Sequence, residues 1–169
     1  MKFFMMIFPV LGMLFAGCRN SSKMAPAVSG FDAERYCGTW YEIARLPNWF
    51  QRGMYHASAE YTGMENRTIK VVNRAFDAAG KVKSVTGTAR VVSSEGKGEL
   101  EVVFFKPFRS AYRVIYLTPD YSVAAVCGKS PDYLWILARN KRVSPEELSP
   151  VIEFLKQRGF AVEKLLFMQ

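Results

Sequence analysis

Glu99-Leu100-Glu101-Val102-Val103-Phe104-Phe105 alternates in polarity along its first half and stops at Lys106-Pro107. A repeat of two residues puts Glu99, Glu101 and Val103 on one face of a strand and Leu100, Val102 and Phe104 on the other. The same alternation recurs on both sides of this segment, closed each time by turn residues. Strands are predicted at 39–46, 55–62, 68–76, 82–93, 99–105, 111–117, 122–128 and 133–139. Between them stand Pro47-Asn48, Gly63, Ala79-Gly80, Ser94-Glu95-Gly96, Lys106-Pro107, Thr118-Pro119-Asp120 and Ser130-Pro131-Asp132. Most of these connections are short enough for hairpins, so the region reads as an antiparallel sandwich or barrel.

A helix follows the last of these strands. Ser144 can cap it, Pro145 suits its first position and Glu147 completes a capping box. Leu148, Val151, Ile152 and Leu155 form one apolar stripe, Lys156 and Arg158 fill the last turn, and Gly159 ends it. That stripe must bury against the outside of the sheet. Residues 160–167 can add a last short strand.

Composition narrows the class. The 169 residues are 50% hydrophobic and 22% charged, which suits one domain with a sizeable core and excludes a wholly disordered chain. Three cysteines cannot make a disulfide-dense scaffold, and a single histidine rules out a His-rich metal site. No metal or other cofactor is expected. The net charge of +8 is spread rather than gathered into a stripe, which argues against nucleic acid. A basic surface beside anionic lipid headgroups is the functional alternative to simple solvation.

The strand faces indicate a hollow interior. Ala57, Ala59 and Tyr61 share one face of the second strand, opposite His56, Ser58 and Glu60. Gly87 and Ala89 share a face with Val85 and Val91. Small residues on the inner side favour a barrel that holds one small ligand over one filled by its own side chains.

The N-terminus reads as a targeting segment. Lys2 precedes an apolar run from Phe3 to Ala16, shorter than the ~20 residues of a membrane-spanning helix but matching a secretory signal. Phe15-Ala16-Gly17-Cys18 resembles a bacterial lipobox, with Phe15 where leucine is usual. The resemblance implies a signal peptide over 1–17, then diacylglycerol and N-palmitoyl attachment at Cys18. Residues 18–29 are then a lipidated terminus and linker, and 30–169 the folded domain. Arg19, rather than aspartate, after the modified cysteine implies the outer membrane.

Three further motifs carry a family resemblance. Gly38-Thr39-Trp40 opens the first strand and resembles the Gly-x-Trp signature of lipocalins. Thr118-Pro119-Asp120-Tyr121 resembles their Thr-Asp-Tyr turn with one proline inserted, and Arg139 stands where the third signature has its arginine. With the lipobox, the chain resembles bacterial outer-membrane lipocalins of the Blc type, to which apolipoprotein D is related. The resemblance implies an eight-stranded antiparallel up-and-down β-barrel, a calyx, with a C-terminal α-helix and a short ninth strand. It implies that Trp40 plugs the closed end beneath Arg139, with Asp120 and Tyr121 tying the neighbouring turn to the same end.

Arg139 also sets parity, so Tyr133, Trp135 and Leu137 should line the cavity. An outward Arg113 leaves Tyr112, Val114 and Tyr116 facing in, with Leu100, Val102, Phe104, Ala57 and Ala89. Tyr112, Asn73 and Arg109 are expected near the rim, where they would orient a head group. In such a barrel Cys127, six residues past Tyr121, lies ~20 Å above Cys37 at ~3.3 Å per residue, too far for a disulfide.

Catalysis finds little support. His56 sits on a solvent-facing strand, and Gly128-Lys129-Ser130 lacks the first glycine of a phosphate loop. One lipocalin relative, a prostaglandin synthase, uses a cavity cysteine, and that resemblance makes Cys127 the nearest candidate for a nucleophile here. The expected function is therefore not enzymatic: a membrane-anchored protein that stores or transports fatty acids or lysophospholipids, at the outer membrane and facing the periplasm. A barrel lipoprotein that inhibits or docks another protein is the alternative, and the sequence leaves a homodimer open.

Overall fold

A computed structural model describes residues 25–168 apart from 64, 65 and 67. The expected signal segment and Cys18 lie outside the described residues. The chain forms α1 (Ala33–Tyr36), β1 (Gly38–Arg45), β2 (Met54–Gly63), β3 (Thr68–Asp77), β4 (Val82–Val91) and β5 (Glu99–Phe105). There follow β6 (Phe108–Leu117), β7 (Val123–Cys127), β8 (Leu134–Ala138), α2 (Pro145–Gln157) and β9 (Leu166–Phe167). Each strand from β2 to β8 pairs antiparallel with the next, and β1 pairs with both β8 and β2, closing the sheet into a barrel. The β1–β2 ladder covers only Gly38 to Tyr41 of β1, and Ala44 and Arg45 pair instead with β9. Up-and-down order puts the β1–β2, β3–β4, β5–β6 and β7–β8 connections at one end, the mouth. The other connections lie at the closed end.

All eight predicted strands are present with small shifts at their ends. β6 starts earlier than expected, at Phe108, because Lys106-Pro107 alone makes the turn and Phe108 already pairs with Phe105. The four-residue α1 was not anticipated. Asp32 caps it, its carboxylate accepting from the Glu34 and Arg35 amides at 2.9 and 3.1 Å. The helix α2 carries the expected capping box between Ser144 and Glu147, and Gly159 follows it at φ +77°.

Two apolar cores divide the molecule. Leu148, Val151 and Leu155 of α2 pack on Ile43, Ala125, Leu134 and Ile136 of the barrel's outer face. Burying each such aliphatic side chain contributes ~1.5–3 kcal/mol, which is why an isolated stripe on α2 must find the sheet. Inside the barrel Trp40, Tyr36, Tyr61, Val71, Leu100, Val102, Val114, Val126 and Leu137 fill the closed half. Residues 25–29, read above as the end of the linker, lie along the barrel. Val28 donates to Val114 O and accepts from Gly98, both at 2.9 Å, and Ala25 joins the helix-side core.

The ladder breaks register in four places, and each break resets which residues face in. In β6 Val114 pairs with Val126 but Tyr116 pairs with Ala125, leaving Ile115 as a bulge. Both Ile115 and Tyr116 therefore point at α2, where Tyr116 packs on Phe154 with ring centroids 5.3 Å apart. The expectation that Tyr116 lines the cavity is overturned by that extra residue.

A calyx with a polar floor and an aromatic mouth

The closed end is built around Arg139. Its guanidinium lies 4.0 Å above the Trp40 ring and donates to the carbonyls of Arg35 (2.8 Å), Cys37 (2.9 Å) and Thr39 (3.1 Å). Longer bonds reach Tyr36 O and Tyr121 O, both at 3.3 Å. The arginine thus holds the end of α1, the start of β1 and the β6–β7 turn together. Gly38 is required for this contact: its φ is +101°, and a Cβ there would stand 3.0 Å from an Arg139 nitrogen. Trp40 Nε1 donates to Tyr36 O at 2.8 Å. In the turn, Thr118 Oγ1 accepts from the Ser122 and Val123 amides, and the Asp120 carboxylate takes the Ser122 amide and hydroxyl. The Thr118 hydroxyl first, then the Ser122 hydroxyl and amide, hold the Asp120 carboxyl below its usual range. Tyr121 sits at φ +61°, accepts the Asp32 amide on its hydroxyl and carries Arg35 over its ring at 4.1 Å.

Above this plug three tyrosines make a polar floor. Tyr61 donates to Tyr112 Oη at 3.0 Å, and Tyr112 and Tyr36 share a 2.7 Å hydroxyl contact. Three hydroxyl protons serve two bonds, so one O–H remains available as a donor. Burial raises all three pKa values, that of Tyr61 to about 12, so the hydroxyls stay protonated at neutral pH. Tyr112 is therefore part of the floor and not of the rim. Nearby, Asn73 pairs across the ladders with inward-facing Ala59 and Val85, and its buried Oδ1 has no hydrogen-bond partner among the described residues.

The upper half of the interior is different. Ala57, Ala59, Asn73, Val85, Phe104 and Trp135 are only half-buried, although β2, β3, β4, β5 and β8 surround them. Inward residues that stay accessible mark an open calyx, whereas Ala89, Leu100, Val102, Val114 and Leu137 lower down are buried. Gly87 is not part of the open space. A Cβ there would meet the Phe104 ring at 2.6 Å, so the missing side chain makes room for Phe104. Trp135 faces in, and its Nε1 donates to Gln51 Oε1 at 2.8 Å. Its ring neighbours Phe50 and Tyr133, which lies just outside β8 at the mouth. Arg109 points away from the calyx and pairs with Glu101 at 2.7 Å, so it is no head-group ligand. Arg113 is also outside, beside Glu99, as its parity required.

A buried charged cluster beside Trp135 carries no signal in the sequence pattern. The extra residue in β1 lies between Glu42, paired with Leu137, and Ala44, paired with Ile136; Arg45 then pairs with Trp135. Glu42 and Arg45 therefore both share the face of inward residues, where they form a buried ion pair. Gln51 donates to Glu42 Oε2 at 2.8 Å, and Arg45 donates to the carbonyls of Gln51 (3.0 Å) and Met54 (2.9 Å). The β1–β2 loop is thus fastened down beside Trp135. On its outer side a cleft of about 630 Å³ runs between this loop and residues 165–168.

Two cysteines, Cys37 and Cys127, lie among the described residues. Both are free, Cys127 facing the α2 core with burial pushing its thiol up to about 11. Burial also raises the Cys37 thiol.

Residues 31–169 match the model of the lipocalin-like domain. The chain belongs to the lipocalin family. Its relatives include the outer membrane lipoprotein Blc of Vibrio cholerae, 37% identical over 96% of this chain and 97% of that one. Blc of Escherichia coli K12 is 37% identical over 84% and 81%, and mouse apolipoprotein D 31% identical over 83% and 77%. Among solved structures this lipocalin superposes on the cockroach allergen Per a 4 with a TM-score of 0.71 at 20% identity, covering 86% and 92% of the two chains. That likeness speaks for the barrel alone.

Proposed function

We propose that this lipocalin is a membrane-anchored lipid carrier. It would take up fatty acids or lysophospholipids through the mouth and hold their chains between β2, β3, β5 and β8. The observation that carries the reading is the contrast within one barrel: a sealed, arginine-tied end against an accessible upper interior walled by Phe104, Trp135 and small residues. Burying acyl chain there is worth ~0.8 kcal/mol per methylene. The leftover tyrosine proton and the free Asn73 acceptor are the groups available to a polar atom that reaches the floor.

Attachment at Cys18 and an outer-membrane address rest on the lipobox and on relatives named outer membrane lipoproteins. The proposed organisation is a signal peptide over 1–17, a lipidated segment over 18–29 whose last residues, 25–29, already lie along the barrel, and the barrel domain over 30–169, facing the periplasm. Storage and transport for membrane maintenance are both compatible with such a site. Native mass spectrometry of the purified protein, with extraction and identification of the molecules it carries, is the test. Fatty acid or lysophospholipid at about one per barrel is expected. A protein that carries none and takes up none when offered it would move the reading to a docking or inhibitory barrel.

A further inference from the structure

The mouth differs from the rest of the surface in polarity, and it combines its exposed rings with cations. Six large apolar side chains stand exposed on its first three hairpins: Trp49 and Phe50, Phe76 and Val82, and Phe105 and Phe108. Trp49, Phe105 and Phe108 are 76%, 69% and 75% exposed, far beyond what lining a calyx needs. At the closed end, among the described residues, Val92 alone is comparable. Isolated exposed apolar residues are ordinary, but a ring of them at one pole marks an interaction surface.

Charge says which surface. Each of the four mouth loops carries one exposed cation: Arg52, Lys81, Lys106 and Lys129. None of the four makes an ion pair among the described residues, a state they share with cations elsewhere such as Lys70, Arg90 and Lys164; what sets them apart is their place beside the exposed rings. Two acids stand nearby, one of them neutralised by a cation and the other, Asp132, left charged, so the four cations outnumber the one uncompensated carboxylate. Asp77 binds Lys83 and its own turn's amides, and Asp132 accepts the Ser130 hydroxyl. Aromatic rings with unpaired cations beside them match the interface of a bilayer, where rings enter the headgroup boundary and lysines and arginines meet phosphates. We infer that the mouth docks on an anionic lipid surface, with Trp49, Phe50, Phe105 and Phe108 entering it and Arg52, Lys81, Lys106 and Lys129 on the lipid phosphates. An amphiphile would then pass between bilayer and calyx without crossing water. A second copy of the chain fits less well, since two such mouths face to face would bring eight cations together.

The test uses full-length protein reconstituted in vesicles of phosphatidylcholine, or of phosphatidylcholine and phosphatidylglycerol in equal parts, with plain or brominated acyl chains. Bromine quenches tryptophan only on close approach, and subtracting a Trp49→Phe sample isolates Trp49 from Trp40 and Trp135. Brominated chains should quench Trp49 about twofold or more in the anionic vesicles and less in the zwitterionic ones. Phe105→Ser/Phe108→Ser should abolish most of that quenching. Equal Trp49 emission over plain and brominated lipid overturns docking, and quenching that survives Phe105→Ser/Phe108→Ser overturns the assignment of the rim. Equal quenching in both lipid mixtures removes the role of the cations. An oligomer in detergent that Phe105→Ser/Phe108→Ser dissociates, with Trp49 unquenched, gives the rim to a second copy instead. Affinity for monomeric lysophosphatidylcholine, measured on the same proteins, keeps this inference separate from the carrier reading. A protein that docks without binding it loses only the latter, and one that binds it with Trp49 unquenched loses only the former.

Discussion

Replacing Arg139 tests how the closed end is held. Arg139→Ala removes the cation above Trp40, worth ~1 kcal/mol at a partly exposed site, and three bonds of 3.1 Å or less to main-chain carbonyls. Each such bond contributes ~1 kcal/mol net, and water can replace some of them at this half-exposed position. The expected loss is therefore ~3 kcal/mol, or a melting temperature lower by roughly 6–12 °C for a domain of this size. Arg139→Lys keeps the charge but not the planar fork that reaches three carbonyls at once, so it should lose about half as much. Urea unfolding followed by circular dichroism gives both values, and the slope with denaturant should not change, since the fold is the same. Fatty-acid affinity should move by less than about threefold, because the plug lies below the tyrosine floor. A loss under ~1 kcal/mol in Arg139→Ala would refute the account of the closed end. So would a large loss of ligand affinity at unchanged stability.

Three further outcomes rest on particular contacts. Trp135→Ala should weaken fatty-acid or lysophospholipid binding about tenfold, while Arg113→Ala, on the outer face of β6, should leave it nearly unchanged; titration calorimetry on both folded variants compares them. Gly87→Ala should cost ~1–3 kcal/mol in urea unfolding, because its Cβ would stand 2.5 Å from Val103 O and 2.6 Å from the Phe104 ring; a neutral result would show that β5 yields freely. Cys127, buried under α2 and with its thiol raised to about 11, should resist iodoacetamide at neutral pH until the protein unfolds. Peptide mapping reads this site by site, and alkylation of Cys127 in the folded protein would contradict the packing.

The fold was legible because alternation and turn residues are local signals. Leu100, Val102 and Trp135 face in by simple parity, and Leu134 and Ile136 face α2 by the same rule. Pairings that depend on backbone conformation were not legible. The α1 turn is only four residues long, and its cap on Asp32 has meaning only once Tyr121 and Arg139 arrive from 89 and more residues away. The tyrosine floor is hidden for the same reason. Tyr36, Tyr61 and Tyr112 are ordinary residues of a turn and two strands until the barrel closes and sets their hydroxyls side by side.

Bulges explain the outward turn of Tyr116 and also the most unexpected feature of the site. One extra residue in β6 moves Tyr116 out of the calyx and onto Phe154; one in β1 does the reverse and brings Arg45 in. In both cases two consecutive apolar residues, Ile115-Tyr116 and Ile43-Ala44, stay on the α2 face, so the helix core sets the register and the interior accepts whichever residue comes next. The ion pair between Glu42 and Arg45 is a consequence. Burying two charges costs more than a hydrophobic pair would unless every polar atom nearby is used, and here Gln51 and the carbonyls of Gln51 and Met54 meet that requirement. Those partners all lie on the β1–β2 loop or at its end. The cluster that makes the buried pair tolerable therefore also anchors the loop carrying Trp49 and Phe50, the aromatic edge of the mouth. In this lipocalin the packing of α2 on one side of β1 thereby helps to shape the entrance on the other.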